Sequence, residues 1–268
     1  MLQRKLILVT LLLLLLVPTL IHAQTETTLQ RVVRTGELRV GTTGNQPPFT
    51  VKSKDGELIG YEIDLAELLA EAMGVKVRFV ERSFSDLLPA LAKKEVDIVM
   101  SGMTITPDRN INFAFVGPYI VSGKSILTRA AKVTELDELE ELNRSTVTVA
   151  VLKNSTSQRF VERFMPKAKH VTVMDHEAGV KMVLEAKVDL MVADFPVCAL
   201  SMLRHPKANL AILDEPLTIE PIGVALPADS FQMHNLINNY MTALQMTGIL
   251  DELEVQWFEG GDWLIRLP

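Results

Sequence analysis

The chain has 268 residues, with 27 basic against 33 acidic side chains for a net charge of −6, and a single cysteine, Cys198. An acidic chain without a basic stripe interleaved with aromatics lacks the phosphate-neutralising surface that nucleic-acid binding needs. A lone thiol excludes an internal disulfide, and the scattered histidines (His170, His176, His205 and His234 beyond residue 23) offer no metal-ligand spacing, so no metal and no cofactor are expected.

In chain order, Arg4 and Lys5 precede an apolar run from Leu6 to Val17, and Ile21-His22-Ala23 ends on a small residue. This is the pattern of a cleavable secretory signal peptide over residues 1–23, with an uncleaved signal anchor as the alternative. The apolar block is shorter than the roughly 20 residues of a membrane-spanning helix, and no Cys opens the mature chain for lipidation. A soluble periplasmic protein is expected, with oligomeric state unmarked and a monomer the simplest expectation. Glu37–Gly41 reads as a strand ending in a turn through Pro48, and Tyr61–Ala72 as an amphipathic helix with Ile63, Leu65, Leu68 and Leu69 near helical spacing. Val75–Val80 is the next strand, Phe84–Lys93 a helix and Val96–Met100 a third strand, which makes a βαβαβ unit of a mainly parallel twisted sheet. After Thr128 the same alternation returns, with strands Thr146–Val151, His170–Met174 and Asp189–Ala193 and helices Ser155–Phe164 and Ala178–Ala186.

The late elements are a strand Pro221–Pro227 and helices near Phe231–Met246 and Gly248–Phe258. They are too few for a third domain. The economical arrangement is a two-lobed α/β fold, residues 24–120 with 220–268 forming lobe 1 and residues 121–219 lobe 2, joined by two crossings near Ile120–Lys124 and Glu215–Ile219. Cys198, among Val197, Ala199 and Leu200, reads as a small buried hydrophobe.

The loop Ser101-Gly102-Met103-Thr104-Ile105-Thr106-Pro107-Asp108-Arg109 sits at the carboxyl end of the third strand, where open α/β sheets place their ligands. It combines hydroxyls, bare amides and a guanidinium whose planar fork matches a carboxylate; the alternative is an ordinary strand-to-helix turn. Ser155 and Thr156 open a helix and suit either anion binding or plain capping. Asp194 ends a buried strand and is placed to cap the helix at Pro196 or to accept hydrogen bonds from a ligand cation.

Several motifs occur together in order: Leu38-Arg39-Val40-Gly41-Thr42, Pro47-Pro48-Phe49, Gly60-Tyr61-Glu62-Ile63-Asp64-Leu65, the block Asp97–Arg109 with Phe113, Pro118 and Tyr119, then Asp189–Asp194 and Gly248-Ile249-Leu250. Residues 37–260 thereby resemble the extracytoplasmic solute-binding proteins of ABC importers, in the polar amino-acid-binding family with the periplasmic binding protein type II fold. The resemblance implies a clamshell that traps an amino acid between its lobes and presents it to an ABC permease, without catalytic residues. It implies that Arg109, with Gly102, Thr104 and the Ser101 loop, holds the ligand α-carboxylate. Thr156 would contribute from the other lobe, and Asp194 would accept from the α-ammonium. Thr43 stands where members with cationic ligands commonly have an acidic residue, and Gln46 where many members have an aromatic wall, which leaves Phe84 as the apolar wall. With no second fixed anion to offset a ligand cation, a polar or acidic side chain is expected over Arg, Lys or His. The same fold is used by periplasmic cyclohexadienyl dehydratases, and Gly41-Thr42-Thr43-Gly44 with Pro48-Phe49 is similar to their opening turn, so that enzyme is the first rival. A ligand sensor working through a receptor partner is the second.

Overall fold

A computed structural model describes residues 26–129 and 142–267; the signal segment lies outside the described residues. The chain opens with α1 (Thr28–Thr35), a short polar helix closed by a capping box between Thr27 and Gln30. Then come β1 (Glu37–Thr42), β2 (Asn45–Gln46), β3 (Thr50–Lys52), β4 (Leu58–Ile59), α2 (Tyr61–Ala72), β5 (Lys76–Glu81), α3 (Phe84–Ala92) and β6 (Ile98–Val99). Next are α4 (Pro107–Asn110), β7 (Phe113–Ser122), β8 (Lys124–Arg129), β9 (Thr148–Leu152), α5 (Thr156–Phe164), β10 (Lys169–Val173), α6 (His176–Leu184), β11 (Leu190–Asp194) and α7 (Phe195–Arg204). The chain ends with β12 (Leu210–Ala211), β13 (Glu220–Pro227), α8 (Phe231–Thr247) and α9 (Ile249–Glu254), followed by short turns of wider and tighter helix.

Two five-stranded sheets organise these elements, in the orders β5-β1-β6-β13-β7 and β10-β9-β11-β8-β12. In each, four strands run in one direction and a single strand, β13 in the first sheet and β8 in the second, runs against them. The fold is therefore two-lobed α/β, as the alternation predicts, with the antiparallel strands supplied by the segments that carry the chain between lobes. The expected strand Val96–Met100 narrows to Ile98–Val99, because Asp97 turns its carboxylate into a polar cluster and Met100 leads into the loop.

Successive strand residues face opposite layers. In the second lobe Val149 and Val151 pack with Phe160 and Val161 of α5, while Ala150 packs with Val180 and Val183 of α6. In the first, Val40, Ile98 and Val224 meet Leu65 and Leu69 of α2, and Val99 meets Leu87 and Leu91 of α3. Both faces of each sheet are covered, so the strands read as continuous apolar runs.

The two crossings lie side by side. The Lys124 N–H donates to Thr218 Oγ1 at 3.0 Å, and the Leu217 N–H donates to the Lys124 carbonyl at 2.8 Å. Gly123 lies so near the second crossing that a Cβ there would stand 2.2 Å from the Thr218 carbonyl oxygen and 2.4 Å from Pro216 Cβ. Only glycine permits this approach. Among the described residues no helix is long and apolar enough to cross a membrane.

Asp97 ties α1, β1 and β6 together. Its carboxylate accepts from Arg31 Nε at 2.9 Å, from Arg39 Nη2 at 2.8 Å and from the Arg39 main-chain N–H at 2.7 Å. Removing it leaves two half-buried guanidinium groups short of a counter-ion, so Asp97→Ala should lower stability by about 3 kcal/mol, read as a fall in the urea midpoint at unchanged slope. A loss below about 0.5 kcal/mol, the size of an exposed pair, would refute the anchoring role.

Candidate functional site

The carboxyl ends of strands from both lobes converge. The first lobe contributes Thr43 after β1, Gln46 on β2 and Ser101–Thr104 after β6; the second contributes Ser155 and Thr156 after β9 and Asp194 at the end of β11. The lobes touch here. Thr104 Oγ1 lies 3.4 Å from Thr156 Oγ1, and Gln46 Nε2 donates to Asp194 Oδ2 at 3.1 Å. Leu152 packs among first-lobe residues that include Val99 and Met103, and Asp108 meets Arg159 across the mouth at 3.5 Å.

Arg109 stands on α4, whose first turn is set by the Thr106 cap and Pro107 at its start. Its side chain is buried, with the residue only 7% exposed. Nη1 donates to the Thr104 carbonyl at 2.7 Å, and Cζ sits 5.7 Å from the centre of the Phe84 ring. Among the described residues no carboxylate lies within ion-pair distance of it. Desolvation, reinforced by the Arg159 charge and opposed by the charges of Glu220 and Asp194, pulls its pKa down to about 10, which leaves it cationic at neutral pH. A guanidinium offers five donors in a fixed fork, and the chain engages this one through a single carbonyl and a ring face.

Other expected residues are placed differently. The Gly102 N–H donates to both oxygens of Glu62, at 2.8 and 3.0 Å, so that amide is used within the protein. Gly102 has φ +58°, and a Cβ on it would fall 2.3 Å from Gln46 Nε2, so the loop and the Gln46 amide require glycine. Ser101 is spent on Thr43: the Thr43 N–H donates to Ser101 Oγ at 3.1 Å, and Ser101 Oγ donates to Thr43 Oγ1 at 3.0 Å. Ser155 is the cap of α5, accepting from the Gln158 N–H at 3.1 Å, which leaves Thr156 to face Thr104. Asp194 makes no cap bond to α7. Its Oδ1 accepts from Lys124 Nζ at 2.5 Å, and that ammonium also lies 3.7 Å from Glu220 Oε2.

Lys124, Glu62, Glu220 and His176 thus join the candidate site beside the residues expected from the sequence. Lys124 had a signal: it is the one cation heading an apolar run that follows a glycine at the crossing. Glu62 lay inside a motif read as the start of a helix. It is 1% exposed beneath the 101–104 loop, and its Oε1 also accepts from the Tyr119 hydroxyl. Burial raises its pKa to about 7; the bonds from Tyr119 and Gly102 oppose this, and the Asp194 charge adds to it. His176 is buried with Nδ1 unpartnered, and desolvation holds its pKa down at about 4, so it is neutral at pH 7. A separate apolar groove beside the lobe junction, lined by Pro48, Phe195, Leu200, Trp257 and Trp263 among others, contains none of the polar residues above.

The Glu62 carboxyl has a stability consequence of definite sign. Its folded pKa, about 7, lies above its ordinary 4.5. The native state therefore holds a proton that the unfolded chain has lost, and the stabilisation present below pH 4.5 disappears as pH rises through 7. His176 acts oppositely, its contribution disappearing as pH falls from 6.5 toward 4. Comparing wild type with Glu62→Gln cancels the histidine. The variant should gain on wild type by on the order of 3 kcal/mol between pH 4.5 and 8, measured by urea unfolding; a pH-independent difference would contradict the buried acid.

Residues 38–260 match the sequence profile of the bacterial extracellular solute-binding proteins, family 3. A cyclohexadienyl dehydratase of Pseudomonas aeruginosa is 28% identical over 87% of each chain. An ancestral amino acid-binding protein, described as a precursor of cyclohexadienyl dehydratase, superposes with a TM-score of 0.81 at 37% identity, over 87% of this chain and all of that one. A Wolinella succinogenes protein whose crystal structure holds lysine does so with a TM-score of 0.82 at 34% identity, over 86% of this chain and 99% of that one. With its two lobes, its converging strand ends and this match across most of its length, the chain belongs to the bacterial extracellular solute-binding proteins, family 3.

Proposed function

We propose that this protein captures a small carboxylate-bearing solute of amino-acid size between its lobes and delivers it from the periplasm to an ABC permease, as a binding protein and not an enzyme. The observation that carries this reading is Arg109: a buried guanidinium facing the second lobe with no carboxylate partner among the described residues. A ligand carboxylate would accept from its open donors and from the Thr104 and Thr156 hydroxyls, one from each lobe. Because those donors meet only when the lobes do, a ligand spanning them favours the closed arrangement. Support for an amino-acid-sized solute comes from the ancestral amino acid-binding relative. A polar or acidic solute is favoured over a cationic one, despite the lysine held by the Wolinella protein, because Thr43 and Gln46 are neutral and the Asp194 carboxylate already faces Lys124.

The dehydratase reading has one observation of its own. Glu62 retains a proton near neutral pH, as a general acid must. Its side chain, however, is engaged by Gly102 and Tyr119 beneath the loop.

A thermal-shift screen over small carboxylic and amino acids tests the binding reading. A ligand at about 100 times its Kd adds about 2.7 kcal/mol to native stability. Arg109→Ala should abolish the shift, and Arg109→Lys, which keeps the charge but loses the fork, should retain only a small part of it. An undiminished response in Arg109→Ala would place the site elsewhere, and turnover of prephenate or arogenate by the purified protein would replace binding with catalysis.

A further inference from the structure

The loop that carries the carboxylate site is fastened on either side of one amide. Ser101 is held to Thr43 through its hydroxyl. The Met103 carbonyl accepts from the Gly223 N–H at 3.1 Å, and Thr104 is bridged to Ile222 and holds Arg109 Nη1 on its carbonyl. Between these anchors the Gly102 N–H points inward, onto both oxygens of Glu62. Gly102 has φ +58°, and glycine crosses between left- and right-handed backbone at little cost. The Ser101–Gly102 peptide can therefore turn its N–H toward the cleft while its neighbours stay in place.

A carboxylate holds an N–H about twice as strongly as a neutral acceptor does. The grip on Gly102 thus depends on whether Glu62 carries a proton. That balance lies in the neutral range, because burial raises the Glu62 pKa to about 7 against the opposing bonds from Tyr119 and Gly102. Three titratable groups bear on Glu62. Tyr119 on β7 donates to it, and Tyr61 beside it on α2 donates to the Tyr119 carbonyl at 3.1 Å; burial pushes both phenols up, so they stay neutral. The Asp194 charge on β11 favours the protonated acid further. A solute carboxylate arriving at Arg109 adds another negative charge beside the same loop.

We propose that Glu62 is a positioning residue of the carboxylate site: ionised, it keeps the Gly102 amide for itself, and protonated, it yields that amide to the solute carboxylate, so that capture is coupled to proton uptake by Glu62. Charge and hydrogen bonding act in the same sense. Affinity is then full below the ionisation of Glu62 and falls as pH rises through it. This inference rests on the carboxylate site at Arg109.

The test is calorimetric titration of the purified protein at about pH 5.5, 7 and 8 with each amino acid except histidine and cysteine, whose own side chains titrate in this range, and with pyruvate and lactate as plain carboxylates. The tightest binder should bind at least about 5-fold more weakly at the highest pH than at the lowest, and should take up protons, read as a dependence of the binding heat on the buffer. Glu62→Gln, neutral at every pH, should lose both effects. Tyr119→Phe removes a donor to the ionised acid and should move the midpoint to higher pH. A flat wild-type profile, or a slope retained in Glu62→Gln, would overturn the coupling and leave the carboxylate site standing as long as Arg109→Ala abolishes binding. Undiminished binding by Arg109→Ala, or binding of none of these solutes, would overturn both. If Glu62→Gln does not fold, the wild-type profile and the Tyr119→Phe midpoint decide.

Discussion

A guanidinium taken out of water and given only one carbonyl and the face of a phenyl ring must find its counter-charge elsewhere. Arg109 is in that position. Burying an unpaired charge costs several kcal/mol, and the fold sustains that cost at a point where two lobes meet. The surrounding elements serve to hold it there: the Thr106 cap and Pro107 fix the short helix that carries it, Phe84 supports its plane, and the 101–104 loop turns on Gly102, whose left-handed backbone (φ +58°) strains any side chain and whose Cβ position is taken by the Gln46 amide. The open donors of Arg109 and the hydroxyl of Thr156 come from opposite lobes, so a carboxylate bound between them would join what the peptide chain connects through two crossings.

The second electrostatic feature is the Lys124–Asp194–Glu220 cluster. A buried cluster of this kind is poor evidence for stability, because desolvation of the three ions offsets much of their attraction. Its location is more informative. Lys124 opens β8 directly after the Gly123 crossing, and Glu220 opens β13 after the return crossing. One ammonium thus links the second-lobe sheet to both connections between lobes, while Gln46 of the first lobe reaches the same Asp194 carboxylate.

Much of this was legible in the sequence, for physical reasons. Apolar runs such as Val149–Leu152 and Leu190–Ala193 must be covered on both faces and therefore read as interior strands, and the helices between them keep their spacing. The loop at Ser101–Arg109 was visible because a strand end, a glycine and an arginine coincide. What escaped depended on partners distant in the chain. Glu62 takes the Gly102 amide from 40 residues away, so an amide expected to face the ligand is turned inward. Lys124 meets Asp194 from 70 residues away through an antiparallel register, which no local pattern encodes. The strands Phe113–Ser122 and Lys124–Arg129 were obscured by Gly117, Pro118 and Gly123, residues that ordinarily end strands and here shape the passage between lobes.

The position of a bound solute's carboxylate decides the role of Arg109 most directly. A crystal structure of the protein with a tight-binding small acid should place that carboxylate on the Arg109 guanidinium, two oxygens against the fork, with Thr104 and Thr156 touching it from opposite lobes. A solute seated in the apolar groove beside Trp257, or a guanidinium turned away from it, would contradict a carboxylate site at Arg109.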